Sequence, residues 1–334
     1  MRPILEAQVF DRFGFRVVPD FGNGSVSLQD AYADVRFLPE IKLRGGKFKE
    51  PVGLERLQSA NNLLFIERAL PTNLVPNRDV GLQLFGDISG GVVSYAVGAF
   101  NGVFDGGSGD GDNNDGKDVA GRIFVQIKGI GFGVAGTFGK QKGSATSPNL
   151  PSFKTAGQST FFRYINDTAT PNVTVASGKV FRLAPQATYY WGPFGFLGEY
   201  VRSTQEVTNN NGTDDFTHQA WQTAVSFVLT GEKASYKGVK PKNPIKPSEG
   251  KWGAVEIAAR YNELRVDGDV FPSFADPNAS ARRARVFGGG VNWYLNDNVK
   301  AVLGYEHTLF AGGAAAGADR PSEKVVQTRL ELAF

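Results

Sequence analysis

Residues 231–251 hold six lysines (Lys233, Lys237, Lys240, Lys242, Lys246, Lys251) against two glutamates, Glu232 and Glu249. Ammonium groups gathered at a narrow passage can replace the water that a hydrated anion gives up there. Each lysine is a compact charge with three donors, and several moderate sites let the anion leave again. In an open loop the same lysines would only repel one another into an extended chain. What they do therefore depends on what holds the segment. Other candidate chemistry is weaker. Asp110, Asp112 and Asn114 begin like a calcium loop, but Asp115 stands where the turn glycine belongs and no glutamate follows at the right distance. An exposed Asp/Gly/Asn loop explains them better. His218 and His307 have neither metal-ligand spacing nor a hydroxyl nucleophile pattern around them, and the chain has no cysteine. No enzymatic activity, metal or cofactor is expected.

The elements that must position these residues alternate with period two. Thr328, Leu330, Leu332 and Phe334 share one face of the last segment, and Gln327, Arg329, Glu331 and Ala333 share the other. One apolar and one charged face suit a strand between lipid and a wet lumen. Strands are predicted at 2–10, 13–21, 27–37, 40–48, 79–87, 91–100, 119–128, 131–140, 179–190, 193–203, 216–230, 252–264, 283–295, 298–308 and 324–334. Helical periodicity is confined to 53–69. No apolar run approaches the ~18 residues of a membrane helix. The negative mean hydropathy leaves a barrel open, because half of each strand faces water. Net charge is +3, too small to imply nucleic acid.

Tight connections (11–12, 38–39, 88–90, 129–130, 191–192, 296–297) alternate with longer ones (22–26, 49–78, 101–118, 141–178, 204–215, 265–282, 309–323). Outer-membrane barrels show this alternation, short turns on the periplasmic side and longer loops outside. Parity then places Phe334 in the periplasm and starts strand 2–10 outside. The expectation is an all-β transmembrane antiparallel barrel with about 15 strands in this chain and 16 in the complete protein. A signal peptide and first strand would precede Met1, since residues 1–6 have no signal-peptide character. The whole chain, 1–334, forms one barrel domain in this reading. By the same parity 231–251 should be a short periplasmic turn, and its length is anomalous.

Inward wall positions carry Arg2, Arg16, Arg36, Lys42, Arg44, Arg122, Lys128, Arg182, Arg260, Lys300 and Arg329. They also carry Glu6, Asp20, Asp30, Asp34, Glu199, Glu256, Glu306 and Glu331. Such a mixed wall largely pairs with itself, with Glu256/Arg260 and Arg329/Glu331 as expected neighbours. Loop 49–78 mixes Arg56, Glu67, Arg68 and Arg78 with Leu63, Leu64, Phe65 and Ile66, more apolar surface than a solvated loop needs. Folding into the barrel would bury it. Arg68 becomes a candidate lumen contact, with Glu67 as a partner for it or for Arg78. Tyr189, Tyr190, Trp191, Trp293 and Tyr294 read as a periplasmic aromatic girdle.

Leu43-Arg44-Gly45-Gly46-Lys47-Phe48, Pro51-Val52-Gly53-Leu54-Glu55, Phe65-Ile66-Glu67-Arg68 and Asn77-Arg78-Asp79-Val80-Gly81 resemble the phosphate-selective porin O/P family. The similarity continues through Leu229-Thr230-Gly231-Glu232, Tyr236-Lys237, Ile245-Lys246-Pro247, Gly253-Ala254-Val255-Glu256, Arg260-Tyr261 and Gly290-Val291-Asn292-Trp293-Tyr294. It spans nearly the whole chain in the same order. The resemblance implies a homotrimer of sixteen-stranded barrels in the bacterial outer membrane, in contact with its lipid. Infolded loops and a long periplasmic turn would select inorganic phosphate or other anions. It places Lys237 and Lys246 at the turn's anion-binding positions and Arg44 at a basic lumen position. The family's arginine track has no counterpart in 141–178, which offers only Lys142, Lys154 and Arg163. An anion-preferring porin is therefore expected. The alternatives are a general-diffusion or organic-solute porin of the same fold, or a soluble all-β carbohydrate-active protein.

Overall fold

The computed structural model describes residues 2–22, 24–111, 116–167 and 172–332. Fifteen strands form one sheet in which each pairs antiparallel with its neighbours in sequence. They are β1 (Leu5–Val9), β2 (Phe13–Asp20), β3 (Ser27–Leu38), β4 (Ile41–Lys49), β5 (Arg78–Ile88), β6 (Val93–Phe100), β7 (Asp118–Ile127), β8 (Ile130–Lys140), β9 (Val175–Trp191), β10 (Phe194–Asn209), β11 (Gly212–Val228), β12 (Ala254–Arg265), β13 (Ala281–Tyr294), β14 (Val299–Gly312) and β15 (Glu323–Leu332). The edges are β1 and β15, and among the described residues no pairing joins them.

Period-two alternation sorts each strand into two faces. Phe13, Phe15, Leu303, Leu330 and Leu332 are exposed on the outer face. The opposite face is buried and polar, with Arg182, Glu199, Gln222, Arg260, Asn262 and Glu306. This inverts a soluble sandwich and excludes the soluble alternative on physical grounds, since so continuous an apolar exterior needs lipid.

The sheet curves around segment 53–75. Lys49 of β4 donates to the carbonyls of Arg56 (2.7 Å) and Gln58 (3.1 Å). Glu199 of β10 accepts from the Leu54 N–H, and Asn262 of β12 accepts from Leu70. Asn292 of β13 and Lys300 of β14 donate to the carbonyls of Leu64 and Leu63. A flat sheet cannot present β4 and β10–β14 to one short segment, so the wall is a barrel and the loop lies inside it. The outer half of the interior is also filled. Phe153 stacks on Phe162 at 5.0 Å, and Phe216 meets Phe274 at 4.9 Å edge-on, with loop residues packed against inward positions of β11–β14.

Several expectations change. The expected connection 204–215 is instead the continuation of β10 and β11, closed at Asn210 and Asn211. Strands of this length exceed the ~9–11 residues of a membrane crossing, so the hairpin extends beyond it. Loop 141–178 contains two small hairpins, Ser152–Lys154 with Thr160–Arg163 and Asn166–Asp167 with Asn172–Val173. The helical signal in 53–69 is only α1 (Leu54–Leu57) followed by short 3-10 turns. In the expected girdle, Trp191 is 72% exposed but Tyr190 and Tyr294 point inward to the periplasmic turn. Phe334 lies outside the described residues.

A charge on the outer face at Leu303 should therefore lower barrel stability by roughly 2–4 kcal/mol, measured as Leu303→Arg by urea unfolding in lipid. Gln126→Arg, on the lumen face, should stay within about 0.5 kcal/mol. Lys300 does not serve as the mild inward control, because it is buried and bonded to the loop. Equal costs at Leu303 and Gln126 would contradict the face assignment.

Candidate functional site

The infolded loop begins where β4 ends. Gly53, at φ +82, turns the chain inward, and a Cβ there would approach Val75 to 3.0 Å. Glu199 then accepts from the N–H groups of Leu54 (2.7 Å) and Glu55 (3.3 Å), and Gln222 donates to it at 2.6 Å. Glu55 accepts from the Ala69 N–H at 2.7 Å, which ties the two limbs of the loop together. Arg260 pairs with Glu55 (3.2 Å) and Glu306, and lies 4.2 Å over the Phe65 ring. Glu256, its expected neighbour, instead accepts from the Tyr294 hydroxyl at 2.8 Å. Arg329 does pair with Glu331, at 2.7 Å.

Most wall cations are matched in this way. Arg16 reaches Glu6 and Asp30, Lys42 reaches Asp87, Arg44 reaches Asp34, and Arg78 reaches Asp30. Arg182, with no exposure, pairs with Asp105 and Asp118. Those two aspartates thus hold the outer wall. Asp110 pairs with Lys47, and Asp112, Asn114 and Asp115 lie outside the described residues. His218 is buried among aromatics, bonded to the Tyr164 hydroxyl at 2.8 Å, with its Nδ1 accepting from the Asp267 N–H.

Three half-buried cations of the infolded loop and its root are not matched. Lys49 donates to two carbonyls, Arg56 to the Thr72 carbonyl at 2.5 Å, and Arg68 to the carbonyls of Glu55 (3.0 Å) and Gln58 (2.8 Å). None of the three forms an ion pair with a described carboxylate. Burial, with the charges of Arg68 and Arg78 nearby, pulls the Arg56 guanidinium down to about 9, still cationic at neutral pH. Burial likewise pulls Arg68 down. Glu67 does not pair with Arg68 or Arg78, and burial pushes its carboxyl up. Burial, with the charges of Arg68, Arg78 and Arg56 nearby, pulls the Lys49 ammonium down to about 6, so the carbonyls orient all three groups and the charge left at neutral pH is that of Arg56 and Arg68.

The residues singled out from sequence fall in three places. Arg68 belongs to this cluster. Arg44 holds Asp34 in a two-point bond (2.7 and 2.8 Å), lies 3.9 Å over Tyr32, and lines a polar cavity of about 330 Å³ with Glu6, Arg16 and Arg36. The turn 231–251 does enter the barrel. Ala234 and Val239 are buried against Val228, Ala254 and Tyr294. Tyr236 donates to the Leu54 carbonyl at 2.5 Å, and its own carbonyl accepts from Gln58 at 2.7 Å. Burial pushes the Tyr236 phenol above its ordinary range. Lys237, next in the chain, is exposed without an ion-pair partner and lies within electrostatic reach of Asp87 on β5. Lys246 is exposed, pairs with Glu249, and shares that carboxylate with Lys251. Both lysines hold the Glu249 carboxyl below its usual range. Lys237 and Lys246 are thus separated in role, and Lys49 and Arg56 join Arg68 instead. The sequence signal for Arg56 was its place in an apolar loop; for Lys49, at the strand end, there was none.

Glu199→Ala removes the acceptor for two buried N–H groups of the loop, each charge-assisted bond being worth about 1.5–3 kcal/mol. The expected result is a larger and noisier single-channel conductance with the barrel still heat-modifiable on gels. Unchanged conductance would show that the loop is held independently of Glu199.

A family model described as "Phosphate-selective porin O and P" matches residues 5–334. Porin O of Pseudomonas aeruginosa is 30% identical over 122 residues, 36% of this chain and 28% of that protein. That match therefore spans under a third of the curated relative. Among solved structures, the anion-selective porin from Comamonas acidovorans superposes with TM-score 0.60 at 10% identity, covering 98% of this chain and 87% of that one. The trimer form of OmpT from Vibrio cholerae gives TM-score 0.55 at 10% identity, over 98% and 86%. These two likenesses speak to the barrel alone. Matched along nearly its whole length, the chain belongs to the phosphate-selective porin O and P family, β-barrel porins of the bacterial outer membrane.

Proposed function

We propose that this protein is a passive anion channel, with Arg56, Arg68 and Lys237 as the groups that meet the anion. The observation that carries the reading is the unmatched pair Arg56 and Arg68 on the infolded loop, where buried wall carboxylates are largely committed elsewhere. A unit charge about 4 Å away is worth about 4 kcal/mol at an effective dielectric of 20, so uncancelled cations at a constriction set the sign of the permeant ion. Arginine forks suit tetrahedral oxyanions, and phosphate is the substrate class that the family's description names. Lys237 would hand ions toward the periplasmic mouth. Arg44 supports the opposite wall through Asp34, and Lys246 braces the turn through Glu249. Assembly as a trimer, the state named for the Vibrio cholerae protein, is part of the same proposal.

Charge reversal tests this in a planar bilayer. Arg56→Glu combined with Arg68→Glu should move the reversal potential in a potassium chloride gradient toward cation preference, and Lys237→Glu should do so to a smaller extent. Lys246→Glu should change it least, because that charge is already offset. A double variant that inserts normally and keeps the wild-type reversal potential would overturn the assignment. Phosphate added to a chloride-conducting channel should reduce the chloride current. No reduction at millimolar phosphate would favour the general-diffusion reading.

A further inference from the structure

The outer surface of the barrel carries a basic patch that conduction does not use. The strand registers place Arg202 opposite Gln219, Gln219 opposite Arg265, and Arg265 opposite Arg283, in one transverse row on the lipid-facing side. The next same-face row toward the periplasm sets Arg285 opposite Glu263, and the one after it His307 opposite Lys324. Directly opposed like charges destabilise a sheet unless something neutralises them. Among the described residues only Glu263 does so here, its buried carboxylate pairing with the largely exposed Arg265. Arg202, Arg283, Arg285 and Lys324 form no ion pair with a described carboxylate. The Arg283 Nε and His307 Nε2 are buried without a hydrogen-bond partner. The next acids outward are Asp267, which accepts from the Thr217 and Asp269 N–H groups one row beyond Arg202, and then Glu206 and Asp215 two rows beyond it.

The depth of the patch identifies what could neutralise it. Trp221, Tyr261 and Phe287 form a ladder of ring contacts at 5.0 and 4.9 Å alongside the patch, at the end of the barrel that bears the long loops. Toward the periplasm this face is apolar, through Val225, Ile257, Val291 and Leu303, all exposed. The chain from Trp252 to Tyr261 rises about 30 Å. At the usual ~40° tilt that is about 23 Å along the membrane normal, close to the roughly 25 Å apolar band of such barrels. The arginines therefore sit at the head-group level of the outer leaflet. Guanidinium forks bind phosphate oxygens in two-point contacts, and the rings below present an apolar ledge to acyl chains.

We propose that Arg202, Arg283, Arg285 and Lys324 form a binding site for the phosphate groups of a phosphorylated outer-leaflet lipid. The site is separate from the lumen, so it stands or falls independently of the conduction proposal.

The test is native mass spectrometry of the full chain in detergent, titrated with bisphosphorylated lipid A, with dephosphorylated lipid A, and with inorganic phosphate. The wild type should retain the bisphosphorylated lipid at least tenfold more strongly than the dephosphorylated one. Arg202→Gln with Arg283→Gln and Arg285→Gln should lose at least tenfold of that retention while conductance and reversal potential stay unchanged. Should the triple variant fail to fold, Arg202→Gln with Lys324→Gln, both exposed positions, should still weaken retention severalfold. Equal retention of the phosphorylated and dephosphorylated lipids would overturn the proposal, as would wild-type retention by the folded variants. So would inorganic phosphate occupying the patch as tightly as the lipid. Loss of oligomers without loss of lipid would assign the patch to a second copy of the chain and equally overturn it.

Discussion

A chain segment that leaves a barrel wall and enters its interior carries backbone N–H and C=O groups that must find partners there. Meeting that requirement for residues 53–75 accounts for much of the polar inner wall. Glu199 covers the first N–H groups, Asn262 covers Leu70, and Asn292, Lys300 and Lys49 cover carbonyls along the way. Gln222 in turn holds Glu199, and Arg260 holds the loop's own Glu55, which covers the Ala69 N–H, so a second layer of the wall is fixed. The loop's apolar residues fill what remains, with Phe65 under Arg260 and Leu70 and Leu74 in the main cluster. The outer face has no such demands and is left to lipid.

In the proposed function this division of partners also sets the selectivity. A carboxylate bonded to backbone N–H groups or to a wall arginine is not available to the lumen. A cation bonded to carbonyls is oriented but keeps its charge. Arg56 and Arg68 are in the second situation, whereas Arg44, Arg78 and Arg182 are paired with acids. Counting charges along the chain gives a nearly balanced wall. Following their bonds gives an infolded loop whose Arg56 and Arg68 carry uncancelled positive charge. The periplasmic turn supports the same arrangement, since Tyr236 bonds to the loop and leaves Lys237 free beside it.

The strands were legible because lipid on one side and water on the other impose strict alternation, as in Phe13–Phe15 and Leu330–Leu332. Legibility ended where the surroundings changed. Beyond the membrane, Thr204, Glu206 and Thr208 of β10 face water while Val207 packs inward against loops, so the apolar signal inverts and the strand reads as a loop. Tyr190 and Tyr294 resemble girdle aromatics in sequence, but parity turns them toward the periplasmic turn. The infolding of 49–78 could be read from its apolar content. The partners of its cations could not, because backbone carbonyls leave no trace in residue identity. The offset of Lys246 by Glu249 is an i,i+3 pair within the turn.

In the proposed function, uncancelled loop cations decide which ion passes. The most direct measurement is the reversal potential of the unmodified channel in a planar bilayer under a tenfold potassium chloride gradient. A potential displaced toward the chloride equilibrium value is predicted, with the displacement shrinking at high salt as the cluster is screened. A potential at zero, or displaced toward the potassium value, would contradict the account.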